Sequence, residues 1–379
     1  MSNVSPYVFD RSAYIYTFRE NEIHKSSWAH LLNRQRSITT GLLLLTLSFF
    51  TLNLYWQLPK WDFEQALAPL FGVRPLTTGQ TGQSSEAKID LIKFLPYQRI
   101  VWIGIASILA AVLLSLSGNV SQSLLQNPLA DCSTLGMIDG AAFGLMILKT
   151  FLGKSIGAYY WSNFVASFFC SFLVFVLILT LFSRKVAWER KNLCTMIILF
   201  GLVLNIFFRA SVHLLKQYNT ASVSTAFSLA IGGAENIYEL FPSQFLFVKV
   251  AIPVTIFLFI LVRLLARNFN LAELGFDQAH SLGVNIKVLQ WVGYFIILCC
   301  STIAINLVGN IAFLGLISTH VARKLFKTRR YETIIPASSV VAAALLMVAI
   351  TINSLIPAIS SSNLILALGA ISLFFLTKE

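Results

Sequence analysis

Charge is what this chain has least of. Only 12% of its 379 residues are Asp, Glu, Lys or Arg, where a soluble domain carries about a quarter. That shortage excludes an ordinary water-soluble globule. Enzymatic signatures are missing too: the chain has no HExxH and no GxSxG. The GKS at 153–155 lacks the upstream glycine of a phosphate loop, because Leu148 stands there. The five histidines are scattered. The chain is therefore read as no enzyme, and any work it does draws on an ion gradient or on a partner ATPase. Cysteines number five, Cys132, Cys170, Cys194, Cys299 and Cys300, all in or beside apolar segments. No disulfide framework and no metal site is expected.

What remains is apolar. Hydrophobic residues make up 56%, with 31 Phe, and mean hydropathy is +0.75. The apolar runs are about as long as a helix needs to cross a hydrocarbon core, and too long for barrel strands. The expected fold class is an all-α polytopic membrane protein with about ten transmembrane helices. The spans are placed near 38–56, 97–117, 135–152, 160–183, 192–214, 246–266 and 287–308, then a shorter eighth after 309, and two more near 334–353 and 362–377. Residues 58–96 read as a polar loop. Residues 1–37, with five Lys or Arg and no apolar run, read as a cytoplasmic N-terminal extension rather than a signal peptide. The membrane domain is then 38–379.

The net charge of +12 suits a positive-inside bias better than nucleic acid. The densest basic clusters precede the first span and lie at 184–191 and 323–330. Ten spans with both termini cytoplasmic put all of these on the inner side.

One stretch stands out, "GNVSQSLLQNPLADCSTLG" at 118–136. Asn127 before Pro128 disfavours helix there. Spacing alone leaves two readings open: an ordinary cytoplasmic loop, or a broken segment forming part of a pathway. Asp139 and Arg209 are the ionisable residues placed within spans, with His213 one turn beyond Arg209. They either pair in the interior or reach the interfaces separately. "LSGNVSQSLL" and "LVGNIAFLGL" echo each other at the ends of spans two and seven, as inverted halves would.

These motifs resemble the FecCD-type permeases, the membrane subunits of ABC importers for ferric siderophores, haem and cobalamin. Gly118, Gln122, Asn127, Pro128, Leu129, Ala130, Leu135, Gly136, Gly140, Ala141 and Gly144 match the family's G-x-x-x-Q-x-x-x-x-N-P-L-A signature and the small-residue helix after it. "LGFDQAHSLGVN" at 274–285 is similar to its cytoplasmic segment, and "GNIAFLGLISTHVAR" at 309–323 to a third motif. The chain departs from the pattern at Asn310 and Thr319, where proline is usual, at Ile371, and at Asp139, where an uncharged residue is usual.

The resemblance implies a type II ABC importer permease fold in the bacterial inner membrane, with two permease subunits, identical or paralogous, forming one pathway. A cytoplasmic ABC ATPase would use ATP, while this chain binds no cofactor. Leu274, Gly275, Asp277, Ala279, Ser281, Leu282 and Gly283 would couple to that ATPase. Gly118, Asn119, Gln122, Asn127, Pro128, Gly136 and Gly140 would line or gate the pathway. Lys93 and Arg99 would dock an extracytoplasmic substrate-binding protein. The expected cargo is a ferric siderophore, with haem or cobalamin as the alternative. An ion-gradient-driven secondary transporter is the reading from another class, and a coupling segment would have no purpose in it.

Overall fold

A computed structural model describes residues 35, 37–53, 86–151, 160–184, 190–218, 232, 244–356 and 359–376. The described residues form helices α1 (Ser37–Asn53), α2 (Glu86–Leu125), α3 (Met137–Phe151), α4 (Tyr160–Arg184), α5 (Arg190–Tyr218) and α6 (Gln244–Glu273). After these come a short α7 (Phe276–Ser281), α8 (Ile286–Val308), α9 (Leu314–Phe326), α10 (Tyr331–Leu355) and α11 (Ser361–Leu376). Helix is the expected solution, since an apolar solvent leaves the backbone only its own groups to bond. Six of these helices are long and apolar enough to cross a membrane alone.

The expected boundaries shift at three places. Residues 86–96, read as loop, continue α2. The second span does not stop at 117: α2 runs on through Gly118, Asn119 and Gln122 to Leu125. The sixth span runs to Glu273, since no glycine or proline interrupts it between Pro253 and Gly275. Most of the extension at 1–37 and of the loop at 58–96 lies outside the described residues.

Burial sorts the helices into a centre and a perimeter. The apolar stretches of α2, α8 and α10 are 78%, 72% and 72% buried, against 17% for α5. α2 sits at the centre, against α6, α8, α9 and α10. Its inner positions are small: Ala106, Ser107, Ala110, Ala111, Ser115, Ser117, Ser121 and Ser123 are all inaccessible. Small side chains let backbones approach where no water drives association. Several of these hydroxyls bond within the helix, as Ser107 does to the Ile103 carbonyl and Ser121 to that of Ser117.

The inverted halves are present in the packing. α3 packs on α4 and α5 as α9 packs on α10 and α11. α2 meets α9 and α10 as α8 meets α3 and α4. With α3 and α9 each counted as one crossing, the equivalent helices are five crossings apart, so the halves run in opposite senses. The Gly-Asn echo is not what marks this symmetry, however. Gly118 lies inside α2, seven residues before its end, whereas Gly309 caps α8. The equivalent positions are Gln126 and Gly309, each just past its helix and each left-handed, with φ of 46° and 75°.

Candidate functional site

α3 has 15 residues and α9 has 13, so each is about 20–22 Å long. A crossing needs about 30 Å. Irregular chain at 126–136 and 309–313 completes each crossing. Each irregular stretch begins at a left-handed residue and ends at another, Gly136 at φ 74° and Phe313 at φ 63°. Non-helical backbone is tolerated at this depth only where protein or water satisfies it.

In the first stretch, protein does. Gln126 donates through Nε2 to the Ala272 carbonyl at 2.8 Å. The Asn127 side chain accepts from Leu129 N at 2.9 Å, closing the turn around Pro128. His320 Nε2 lies 2.9 Å from the Pro128 carbonyl, which only accepts, so this nitrogen carries the proton. Asn205 on α5 donates to the Ser133 carbonyl at 3.0 Å. Asp131 is buried, takes the Ser133 hydroxyl on Oδ2 at 3.0 Å, and sets Oδ1 against Gly315 in the first turn of α9. A carboxylate there faces the positive end of the helix dipole.

The signature residues hold the two halves together. Gly118 meets Gly315 backbone to backbone, so that a Cβ on Gly118 would lie 2.8 Å from the Gly315 carbonyl carbon. Asn119 donates to the Ser115 carbonyl at 2.8 Å and to Ser338 Oγ on α10 at 2.7 Å. Gln122 donates to Thr319 Oγ1 on α9 at 2.7 Å. Gly136 packs on Gly201 of α5, and Gly140 on Val174 of α4. Gly118, Asn119, Gln122, Gly136 and Gly140 are all buried within one chain. They do not line an opening here, because their small or amide side chains are taken up by helix contacts. Asn127 is half-buried and Pro128 exposed at the turn.

The polar opening lies elsewhere. Arg209 Nε and Asn310 Nδ2 both donate to Asp139 Oδ1, at 3.1 and 2.7 Å. Asp139 is almost fully buried, while the Arg209 side chain is 45% exposed. A cavity of about 180 Å³ opens beside them, lined also by His213, Ser362, Asn363 and Leu366. Arg209 lies within the spanning stretch of α5, the least buried of the long helices. A partly exposed arginine in such a stretch is costly against lipid. Sequence spacing raised the Asp139–Arg209 pair but gave no sign of Asn310 or Asn363, which arrive from the other half of the chain.

At the opposite end, α7 stands out from the helix bundle. Phe276 and Ala279 are buried and anchor it, while Asp277, Gln278, His280 and Ser281 are exposed, as are Leu274 and Leu282 at 59% and 60%. Gly275 and Gly283 have φ of 121° and 87°, and a Cβ on either would meet nothing. Glycine is required there for backbone conformation, not for space. The segment holds one short helix, because the Gly283 turn leads directly into α8, whose first turn is capped by Asn285. Lys93 and Arg99 fall in the first part of α2, and their side chains lie outside the described residues.

A family model for the FecCD transport family matches residues 43–379. The probable heme-iron transport system permease proteins IsdF of Staphylococcus aureus strains bovine RF122 / ET3-1 and Newman are each 30% identical over 274 residues. That region is 72% of this chain and 76% of theirs. Among solved structures, a metal-chelate type ABC transporter in an inward-facing conformation superposes with a TM-score of 0.67 at 22% identity, covering 90% of this chain and 99% of that one. PsaBC from Streptococcus pneumoniae gives 0.51 at 14% identity, covering 78% and 95%. These two likenesses are of fold.

Proposed function

The chain belongs to the FecCD transport family, and we propose that it is the membrane-spanning permease subunit of an ATP-driven importer of iron chelates. The observation that carries this reading is the exposed turn at 274–284. It is anchored by two buried residues, shaped by two left-handed glycines and otherwise open, as a lever gripped by another protein must be. A secondary transporter has no use for it. The partners follow: an ABC ATPase on the α7 side, a second permease subunit, and an extracytoplasmic binding protein that delivers the cargo.

The passage runs along the α5 and α11 face, which carries Arg209, His213 and Asn363 beside apolar Val212 and Leu366. Such a face suits a bulky chelate that must be guided without being trapped. The positive-inside pattern places α7 and both termini in the cytoplasm. Haem is the first cargo to test, because relatives at 30% identity carry that name. A ferric siderophore, which the motifs alone suggest, is the second.

The test is uptake of radiolabelled iron as haem and as ferric siderophores in a strain deleted for this chain, complemented with the wild type or with a 274–284 deletion. Wild-type uptake that the deletion abolishes supports the reading. Uptake and ATPase co-purification that both survive the deletion would refute it.

A further inference from the structure

We propose that Arg209, with Asn363 and His213 around it, is a station that recognises a carboxylate carried by the cargo, and that Asp139 and Asn310 are its positioning residues. The inference rests on the importer reading above and adds the chemical group that the passage selects.

The geometry builds such a station from behind. Asp139 Oδ1 takes both Arg209 Nε and Asn310 Nδ2. Holding a guanidinium through Nε leaves its two Nη groups, and neither bonds a described residue. These are the donors that grip a carboxylate in a two-point fork. The remaining cavity wall is mixed: His213 one turn along α5 and Ser362 and Asn363 at the start of α11 are polar, and Ala142, Val212, Ala312 and Leu366 are apolar. Among the described residues the one acid lining the cavity is Asp139, and its second oxygen has no accessible surface. Cargo in the cavity meets the cation and not the acid.

A purely structural pair explains less. Asp139 Oδ2 and Asn310 Oδ1 are both buried with no partner among the described residues, a cost that an apolar strut at the same place would avoid. Nor does a strut need the arginine side chain left 45% exposed. Two of the positions at which the chain departs from the FecCD pattern, Asp139 and Asn310, are the two that meet here. They come from the two halves of the fold, and together they fix the arginine. The fork is also moderated. Asp139 offsets part of the charge of Arg209, so a carboxylate is held and released instead of being trapped.

The test uses the full transporter with its ATPase and binding protein, and compares uptake of haem with that of its dimethyl ester, which lacks both carboxylates. Arg209→Gln and, independently, the exposed-site variant Asn363→Asp are expected to lower haem uptake about tenfold while leaving ester uptake within about twofold. Arg209→Lys is expected to restore part of the haem rate. Asp139→Asn is expected to raise the apparent KM for haem more than that for the ester, because the guanidinium is no longer aimed. Equal losses for haem and ester in both Arg209→Gln and Asn363→Asp, or no loss in either, would overturn the station and leave the importer reading intact. Failure of the wild type to carry any iron chelate would sink both.

Discussion

Replacing Gly118 by alanine tests the closest contact between the two halves. The added Cβ would lie 2.8 Å from the carbonyl carbon of Gly315 and 2.9 Å from its Cα and oxygen. Carbon atoms rest comfortably at about 3.5–4.0 Å, and the obstructing atoms are backbone, which cannot rotate aside. α2 and α9 must therefore part by roughly 0.7–1 Å, a strain of the kind that costs about 1–3 kcal/mol. Helix propensity opposes this, since Gly→Ala inside a helix gains about 1 kcal/mol. A second variant separates the two effects. Gly41 lies in α1 with nothing within 4 Å of its Cβ position, so Gly41→Ala receives the propensity gain without the clash. Unfolding of the purified protein in mixed micelles, titrated with sodium dodecyl sulfate, should show Gly118→Ala less stable than Gly41→Ala by about 1–3 kcal/mol. Parting the helices also lengthens the Gln122–Thr319 bond one turn further along, so uptake should fall as well. Equal stabilities with unchanged uptake would refute the close-packed crossing.

Three further outcomes are expected. Gln122→Leu and Thr319→Val should each cost about 0.6–1.7 kcal/mol, the usual worth of an interhelical hydrogen bond in a membrane. The double variant should cost less than their sum, whereas strict additivity in the same unfolding titration would mean that the bond does not form. Leu274→Asp combined with Leu282→Asp changes only exposed positions, so unfolding should be unaltered while ATPase co-purification falls. Retained co-purification would remove α7 as the seat of coupling. In a cysteine-free background, Arg209→Cys should react readily with a membrane-impermeant thiol reagent, while Leu199→Cys and Asn119→Cys should not. Leu199 is 62% exposed yet apolar, and Asn119 is buried, so similar labelling of all three would contradict a water-lined face confined to the Arg209 side.

The turn at 274–284 was singled out by the family resemblance, and its local signals, a polar interval and two glycines beside a span, agree with the turn observed. The amide cluster was legible as unusual, but its contacts were not. Asn119 and Gln122 looked like lining because a polar side chain in an apolar helix needs a partner or water. Their partners, Ser338 and Thr319, stand 219 and 197 positions away, and no spacing rule reaches that far.

The sequence by itself determined that this is a helical membrane protein and where most of its helices lie. Each follows from the cost of burying polar backbone in lipid and from the conformational demands of Gly and Pro, which act over a few residues. Only the tertiary structure decided that the third and eighth crossings are partly irregular, that their polar residues bind the halves together, and that Asp139, Arg209 and Asn310 meet beside a cavity. Those outcomes depend on which helix faces complement one another across the repeat. That is a matter of shape and hydrogen-bond pairing between distant segments, and local pattern carries no record of it.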